Sequence, residues 1–504
     1  MNYRGIGTQP TTHVSAESVA YKEVDFRLED LAFCDPDYFI AGNVHNFYDQ
    51  WLQCGASKQV LEWIRNGINV FDFFRHFKGN YRGKAYDSDI PPSIFFPNSE
   101  GCKNFVPFIV STLLDRLANG SLKLVGKVGV CEPPLLVLPL TVEPNKPRLC
   151  HDERYLNCWV KDNPFSLETL RDLPRLLDQG DFMASLDDKS GYDHVLLSTE
   201  SRKFFGIQFG GYYMVFNTLP FGFKASAFIY QKIGLVATGY CRLMGVPCLQ
   251  YIDDRWIGAF MQSMSIGGSK TQGTINVFEK EKRALRSLYI VCEVLIRLGY
   301  FINILKSVFI PVQLIKFLGM LVDSNRLAFI IPQAKLSKFK ILRESILAQD
   351  SVDLLSLQKF AGKCISFLLA IPSAKLYIKE VNRAISVASK NSGVVTVSPS
   401  LREEIIHWSF LDSWEECFPW RKEKHLQISL VSDASKYKWG ALVFSEQNFV
   451  EFSDFWKNDD SRPIHLKEAN ALVNALNSVS SKVRAHRVDA YVDNLACVYA
   501  LGKF

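Results

Sequence analysis

At 504 residues the chain is long enough for roughly three domains of ordinary size, and 48% hydrophobic with 22% charged residues is a globular balance, not a disordered or fibrous one. A formal net charge of +6 permits a polyanionic partner without requiring one. The 12 cysteines contain no Cys-x-x-Cys pair and no apolar run is long enough to span a bilayer, which argues against a zinc knuckle, a thioredoxin-type site and a membrane span.

Residues 1–30 are polar and lack a signal-peptide core, so the cysteines are expected to be reduced in an intracellular protein, cytoplasmic and/or nuclear. Residues 1–43 read as a mobile leader. Ser57 is placed to cap a helix that stops at Asn66-Gly67, and Phe105 to Ala118 reads as a second helix. From Leu122 short apolar runs are divided by Gly and Pro, with strands at Leu135–Val142 and Arg148–Cys150 around a turn rich in proline. Phe182–Leu186 is a compact apolar strand ending at Asp187-Asp188, and helix-like sequence resumes from Asp193. Gly210-Gly211 among alternating aromatics signals a hairpin, and Leu219–Ser226 leads into a helix to about Val236.

Apolar runs flank Tyr251-Ile252-Asp253-Asp254 on both sides, which reads as a hairpin with two carboxylates at its tip. Gly267–Gly273 reads as a flexible loop, followed by a long helix with Leu285, Leu288, Cys292 and Leu295 on one face. Strands are expected at Phe301–Ile304, Ser307–Ile310 and Phe317–Val322, then helices at Pro332–Leu347, Leu355–Leu369 and Ala374–Ser389. Asn391–Ser400 reads as a weakly structured linker and Glu403–Trp414 as another helix. In the last block, strands at Gln427–Val431, Gly440–Phe444 and Phe449–Phe452 precede a helix at Leu466–Leu476 and a strand at Arg487–Val492. That order suggests a separate α/β domain.

A lone Asp-Asp hairpin is most simply an Asp-containing turn. Asp187, ending another apolar strand, changes that reading, because a strand end and a hairpin tip meet when they are neighbours in one sheet. Three converging carboxylates are an arrangement that holds two divalent cations roughly 4 Å apart. Ligands that are all oxygen suit Mg²⁺.

Here the sequence resembles the reverse transcriptase family. Phe182–Tyr192 looks like the motif bearing the first metal-binding Asp, Leu219–Gln231 like the helix-opening motif, and Tyr251–Asp254 like the Tyr-x-Asp-Asp box. Gly299–Ser307 and Phe317-Leu318-Gly319 look like the lysine-bearing strand and the primer grip, and Lys146–Asn157 is similar to the fingers motif. The resemblance implies that Asp187, Asp253 and Asp254 hold Mg²⁺ (or Mn²⁺), two ions per site. It makes Tyr192 a steric gate favouring dNTPs, Arg148 and Lys146 triphosphate ligands, and Phe221 with Gly222 part of the nucleotide pocket. Lys306 is implied to protonate departing pyrophosphate. Taken singly, Tyr192 reads first as a core aromatic, Arg148 as a surface strand residue and Lys306 as a solvated cation; the ordered motif set reverses this for Tyr192 and Arg148 but not for Lys306. Asp188 departs from the family, which usually has an apolar or small residue there, and is expected to add negative charge beside the metals.

Asp433, Glu468 and Asp493, on a strand, a helix and a later strand, resemble the ribonuclease H fold and imply a second two-metal site. The chain ends at Phe504, inside the helix expected after Asp493. Either it is a fragment of a longer polyprotein, or the nuclease is incomplete.

The expected fold class is α+β: a right-hand polymerase followed by a partial ribonuclease H-like domain. Fingers and palm are expected over 44–330, a helical thumb or connection over 331–425 and the ribonuclease H-like domain over 426–504. The chain looks most like DIRS-like, tyrosine-recombinase-type retroelements, with Gypsy-like LTR elements second. Its implied partners are an RNA or DNA template-primer duplex and dNTPs, with no membrane. The rivals are an RNA-dependent RNA polymerase and a decayed or domesticated copy that only binds nucleic acid.

Overall fold

The computed structural model describes residues 40–260, 277–389, 393–415, 417–420, 424–445, 448–457, 459–483 and 486–501. The expected leader, apart from 40–43, and the expected loop Gly267–Gly273 lie outside the described residues. The chain forms two compact units, one of residues up to 171, 179–326 and 330–337, the other of 172–178, 327–329 and 338 onwards. Helices and sheets are mixed in both, and no described helix is long and apolar enough to cross a membrane.

In the first unit α1 (Lys58–Asn66) starts where Ser57 Oγ accepts the Val60 N–H. It is followed by α2 (Val106–Ala118). The expected strand Leu135–Val142 is broken at Pro139, which has no N–H to give a ladder. Leu136–Val137 pairs in one sheet, whereas β1 (Leu140–Glu143) pairs with β2 (Arg148–His151) in another. After β3 (Met183–Asp187) the expected helix from Asp193 does not form; only short 3-10 turns at Gly191–His194 and Arg202–Phe204 precede the next strand. The Leu196 N–H instead donates to Nε2 of His45, an imidazole that burial keeps neutral with its pKa lowered to about 4. Tertiary pairing has overridden local preference.

The hairpin β4 (Gly206–Phe209) and β5 (Tyr212–Phe216) turns at Gly210-Gly211, and α3 runs Ser226–Leu243, two turns past the expected end because nothing before Gly245 breaks it. Then come β6 (Cys248–Tyr251), β7 (Asp254–Ile257) and α4 (Val277–Arg297). The buried stripe of α4 is Ala284, Ser287, Leu288, Val291, Val294 and Leu295; Leu285, expected on it, is 45% exposed, one position off the stripe. Phe301–Ile304 makes only a single bridge, from Ile302 to Asp188, and the next strand is β8 (Val308–Val312). The expected strand Phe317–Val322 is a hairpin of β9 (Leu314–Phe317) and β10 (Met320–Asp323) turning at Leu318-Gly319. Strands β6, β7, β3 and β8 form one antiparallel sheet in that order. Helices α3 and α4 pack against it. A large aromatic-rich core including Trp51, Trp63 and Trp159 fills the unit.

Next come α5 (Gln333–Leu347), α6 (Leu354–Ser366), α7 (Lys379–Ala388) and α8 (Pro399–His407). The stretch before α7 is a 3-10 turn with a non-helical Tyr377. Within the expected linker, Val394–Thr396 is a short strand paired with Ser351–Asp353. The last block contains β11 (Lys424–Ala434), β12 (Lys438–Ser445), β13 (Asn448–Phe455), α9 (Ile464–Ser478), β14 (His486–Tyr491) and α10 (Leu495–Leu501). Its sheet order is β13-β12-β11-β14, with β14 parallel to β11, and α9 packs its Ala471, Leu472 and Ala475 on a core of its own.

Candidate active site

In the ladder between β3 and β7, Asp187 stands directly opposite Asp254. Tyr251 pairs with Asp254, so Ile252 and Asp253 alone make the turn between β6 and β7. The Asp188 N–H donates to the Asp253 carbonyl at 2.9 Å, joining strand end to hairpin tip. Asp187 is fixed from behind: its N–H donates to Ser307 Oγ at 3.1 Å, and its carbonyl accepts the Asn303 N–H at 2.8 Å.

The turn is strained. Ile252 has φ +55°, a region β-branched residues avoid. Two fully buried glutamines hold it there. Gln231 Oε1 accepts the Ile252 N–H at 2.8 Å and its Nε2 donates to the Gln250 carbonyl, while Gln250 Nε2 donates to the Ile252 carbonyl at 3.0 Å. Gln250 can lie against α3 only because residue 234 is glycine; a Cβ there would come within 2.0 Å of its Nε2. Neither glutamine nor Gly234 stands out in the sequence, since each matters only through a contact distant in the chain.

Burial, then the charges of Asp253 and Asp187, pushes the Asp254 carboxyl up to about 6. Asp253 is raised too, chiefly by burial. Lys306 Nζ lies 3.5 Å from Asp187 Oδ1 but is 68% exposed, so it offsets little of this repulsion. Half-buried, crowded carboxylates offering only oxygen are a donor set that fits a hard divalent cation.

Tyr192 sits beside the carboxylates, its ring centroid 4.8 Å from that of Phe221 and 5.4 Å from that of Tyr230. Burial and the Asp253 charge raise its hydroxyl to about 12. Phe221 is 68% exposed and leaves an open aromatic face. At Gly222 a Cβ would fall 2.2 Å from the His151 carbonyl, so the loop before α3 lies flat on β2. Asn157 staples the same loop by donating to the Gly222 carbonyl and accepting the Lys224 N–H, each at 2.9 Å. Lys146 and Arg148 are exposed on the β1–β2 hairpin and make no ion pair with the three aspartates. Phe317 is buried, and Leu318 takes φ +44° at the β9–β10 turn.

Residues 142–322 match the family model for reverse transcriptase (RNA-dependent DNA polymerase). They form a reverse transcriptase domain. The class of activity that goes with it is RNA-directed DNA polymerase. The fold is that of retroviral reverse transcriptases. The foamy viral protease-reverse transcriptase dRH in complex with double-stranded DNA aligns with TM-score 0.53 and 15% identity over 92% of this chain and 76% of that one. The foamy viral protease-reverse transcriptase in complex with an RNA/DNA hybrid gives 0.54 and 14% over 90% of this chain and 58% of that one. Its complex with double-stranded DNA gives 0.51 and 16% over 92% and 91%. No curated protein sequence matches the chain.

The resemblance led us to expect Asp188 to load the reverse transcriptase site with further negative charge. It does so in part: its charge is among the causes that raise the Asp253 and Asp254 carboxyls, behind burial and the charge of Asp187, while a buried guanidinium offsets it. Asp188 is 2% exposed and paired with Arg255, whose Nη2 lies 3.0 Å from its Oδ2.

Beyond the reverse transcriptase domain, Asp433, Glu468 and Asp493 come together in the second unit, each offering a ligand atom within 4.8 Å of the others. Among the described residues this is the one acidic group drawn in so closely; Asp187, Asp253 and Asp254 are not. Parallel pairing explains part of it. Val431 is in register with Tyr491, and each strand's Asp follows two positions later. Glu468 reaches over from α9 to accept the Ala434 N–H at 3.2 Å. Its Oε2 is buried without a partner, and burial followed by the charges of Asp433 and Asp493 raises its carboxyl. An orphaned carboxylate oxygen between two acids fits a cation.

Proposed function

We propose that the chain is a retroelement RNA-directed DNA polymerase that extends a primer 3′-hydroxyl with dNTPs, with DIRS-like elements the nearest type and Gypsy-like LTR elements second. The observation that carries this is Asp187 facing Asp254 across one ladder, with Asp253 at the adjoining tip, inside the stretch matching the reverse transcriptase family. Asp187, Asp253 and Asp254 would hold Mg²⁺ or Mn²⁺, two ions, which when bound lower the pKa of the attacking hydroxyl and offset charge on the leaving phosphate oxygens. The primer hydroxyl attacks the α-phosphate of the dNTP and pyrophosphate departs. Tyr192, braced by Tyr230 and Phe221, excludes a 2′-hydroxyl. Arg148 and Lys146 bind the triphosphate, Lys306 donates a proton to pyrophosphate, and Phe317-Leu318-Gly319 carries the primer end.

A template-primer duplex is the partner; the similar foamy viral proteins were solved with double-stranded DNA or an RNA/DNA hybrid. Asp433, Glu468 and Asp493 would hold the ions of a ribonuclease H-like activity on the RNA of a hybrid, and the buried Oε2 of Glu468 supports that reading. The domains in this reading are fingers and palm over 44–330, thumb or connection over 331–425 and nuclease over 426–504.

The test is primer extension on poly(rA)/oligo(dT) with Mg²⁺ or Mn²⁺, dTTP against UTP, beside an Asp253→Asn/Asp254→Asn variant. Extension with dTTP that the variant loses is the expected result. Extension with UTP instead makes this an RNA polymerase, and a folded protein that binds the duplex without extending it is a binding-only remnant.

A further inference from the structure

Asp188 and Arg255 are each the chain neighbour of a proposed metal ligand, Asp187 and Asp254, and both are almost wholly buried. Their contact is bidentate. Arg255 Nε donates to Asp188 Oδ1 at 3.1 Å and Nη2 to Oδ2 at 3.0 Å. The Tyr230 hydroxyl donates to the same Oδ2 at 2.6 Å. Arg255 Nη1 reaches Thr238 Oγ1 and Gln250 Oε1 at 3.3 and 3.4 Å, and the Tyr300 ring lies 5.1 Å from the guanidinium. Successive strand residues project to opposite faces, so Arg255 lies on the face opposite Asp254. Gln250 also holds the Ile252 turn, and Tyr230 packs on Tyr192.

A buried ion pair is a poor stabiliser by itself, because desolvation cancels much of the attraction, and an apolar pair of similar volume usually does as well. What such a pair supplies better is geometry: a planar fork gripping a carboxylate permits one relative placement of the two strands. We propose that Asp188 and Arg255 are positioning residues, a rigid tie behind the sheet that sets the spacing of Asp187 against Asp253 and Asp254 and so the site's hold on divalent cations. This rests on the polymerase reading for its catalytic consequence, but not for the cation affinity itself.

The experiment uses the full chain in an Asp433→Asn background, so that Mn²⁺ at the other acidic trio does not mask the signal. Removing one partner would strand a buried charge, so the informative variant is Asp188→Val/Arg255→Leu, in which both charges go. Mn²⁺ binding by electron paramagnetic resonance, melting temperature and single-nucleotide dTTP incorporation are measured together. The expected result is a melting temperature close to that of the parent, Mn²⁺ affinity weaker by about tenfold, and kcat down by about tenfold with KM for dTTP within about twofold. Parent-like Mn²⁺ affinity in the folded double variant overturns the proposal, as does a parent showing no Mn²⁺ binding that Asp253→Asn/Asp254→Asn removes. Should the double variant melt far below the parent, Arg255→Lys decides: it keeps the charge but not the fork, and unchanged Mn²⁺ affinity in it rejects the tie. A parent that binds Mn²⁺ but extends no primer removes the polymerase reading and leaves the affinity comparison standing.

Discussion

Asp188 and Asp254 belong to one cluster of acids, and their surroundings give them opposite characters. Asp188 faces a guanidinium and is part of the scaffold. Asp254 is half-buried and faces other carboxylates, so burial first and then their charges push its pKa up to about 6 from the usual 3.8. A group whose folded pKa is raised favours the folded state fully below its unfolded pKa and loses that contribution as pH rises through the folded value. The metal-free protein is therefore expected to lose stability between about pH 4 and pH 6, by about 1 kcal/mol once solvent screening of a half-exposed group is allowed for. Asp254→Asn should raise the melting temperature at pH 7.5 by about 2–4 °C and have little effect at pH 4, read by calorimetry with chelator present. At Tyr192 the ring is wedged between Phe221 and Tyr230, so Tyr192→Ala opens space instead of letting a neighbour collapse into it. The ratio of UTP to dTTP incorporation is expected to rise by at least about tenfold, the discrimination a single steric contact supplies. An unchanged ratio would show that Tyr192 only packs.

At the level of elements, strand ends and hairpins with compact apolar runs were legible because their pattern is local. The β6–β7 hairpin, the end of β3 at Asp187 and the helix stop at Asn66-Gly67 all lie where apolar runs meet turn residues. The misreadings have a shared cause in contacts far apart in sequence. The stretch after Asp193 is held extended by His45, and residues 301–304 are held to Lys189 and Asp187 by backbone bonds, a single bridge opposite Asp188, without becoming a strand. Leu285 was misplaced because two nearly equivalent apolar stripes run along α4 and only packing selects one. The Arg255–Asp188 tie was invisible for the same reason: 67 residues separate the partners. Helix α3 offers a clean check on such hidden contacts. Gly239 has nothing near the position of a Cβ, whereas at Gly234 a Cβ meets Gln250. Gly239→Ala should stabilise by about 0.5–1 kcal/mol, the ordinary helix gain. Gly234→Ala should destabilise by about 1–2 kcal/mol net of that gain and cut primer extension, since Gln250 carries the Ile252 turn with it. Equal melting temperatures for the two variants would refute the clamp.

For the molecule as a whole, the two acidic groups differ in construction as well as place. The first is spread over a strand end and a strained turn, is wider than the second, and shares its unit with Tyr192 and the open face of Phe221. The second is compact, built from parallel strand ends and one helix around a separate core. Spread carboxylates leave room for phosphates to complete the coordination of hydrated ions, whereas a tight trio supplies most ligands itself. Because each group stands on its own unit and core, the two activities should separate under single substitutions. Asp433→Asn removes one of the oxygens around Glu468 and is expected to lower RNA-strand cleavage of a hybrid by at least about 100-fold while primer extension stays within about twofold. Asp253→Asn should do the reverse. Both rates are measurable on one labelled RNA/DNA hybrid, with primer length and RNA fragments resolved on the same gel. Loss of both activities from either change would mean that the acidic groups serve a single reaction, and cleavage that survives Asp433→Asn would place the nuclease elsewhere.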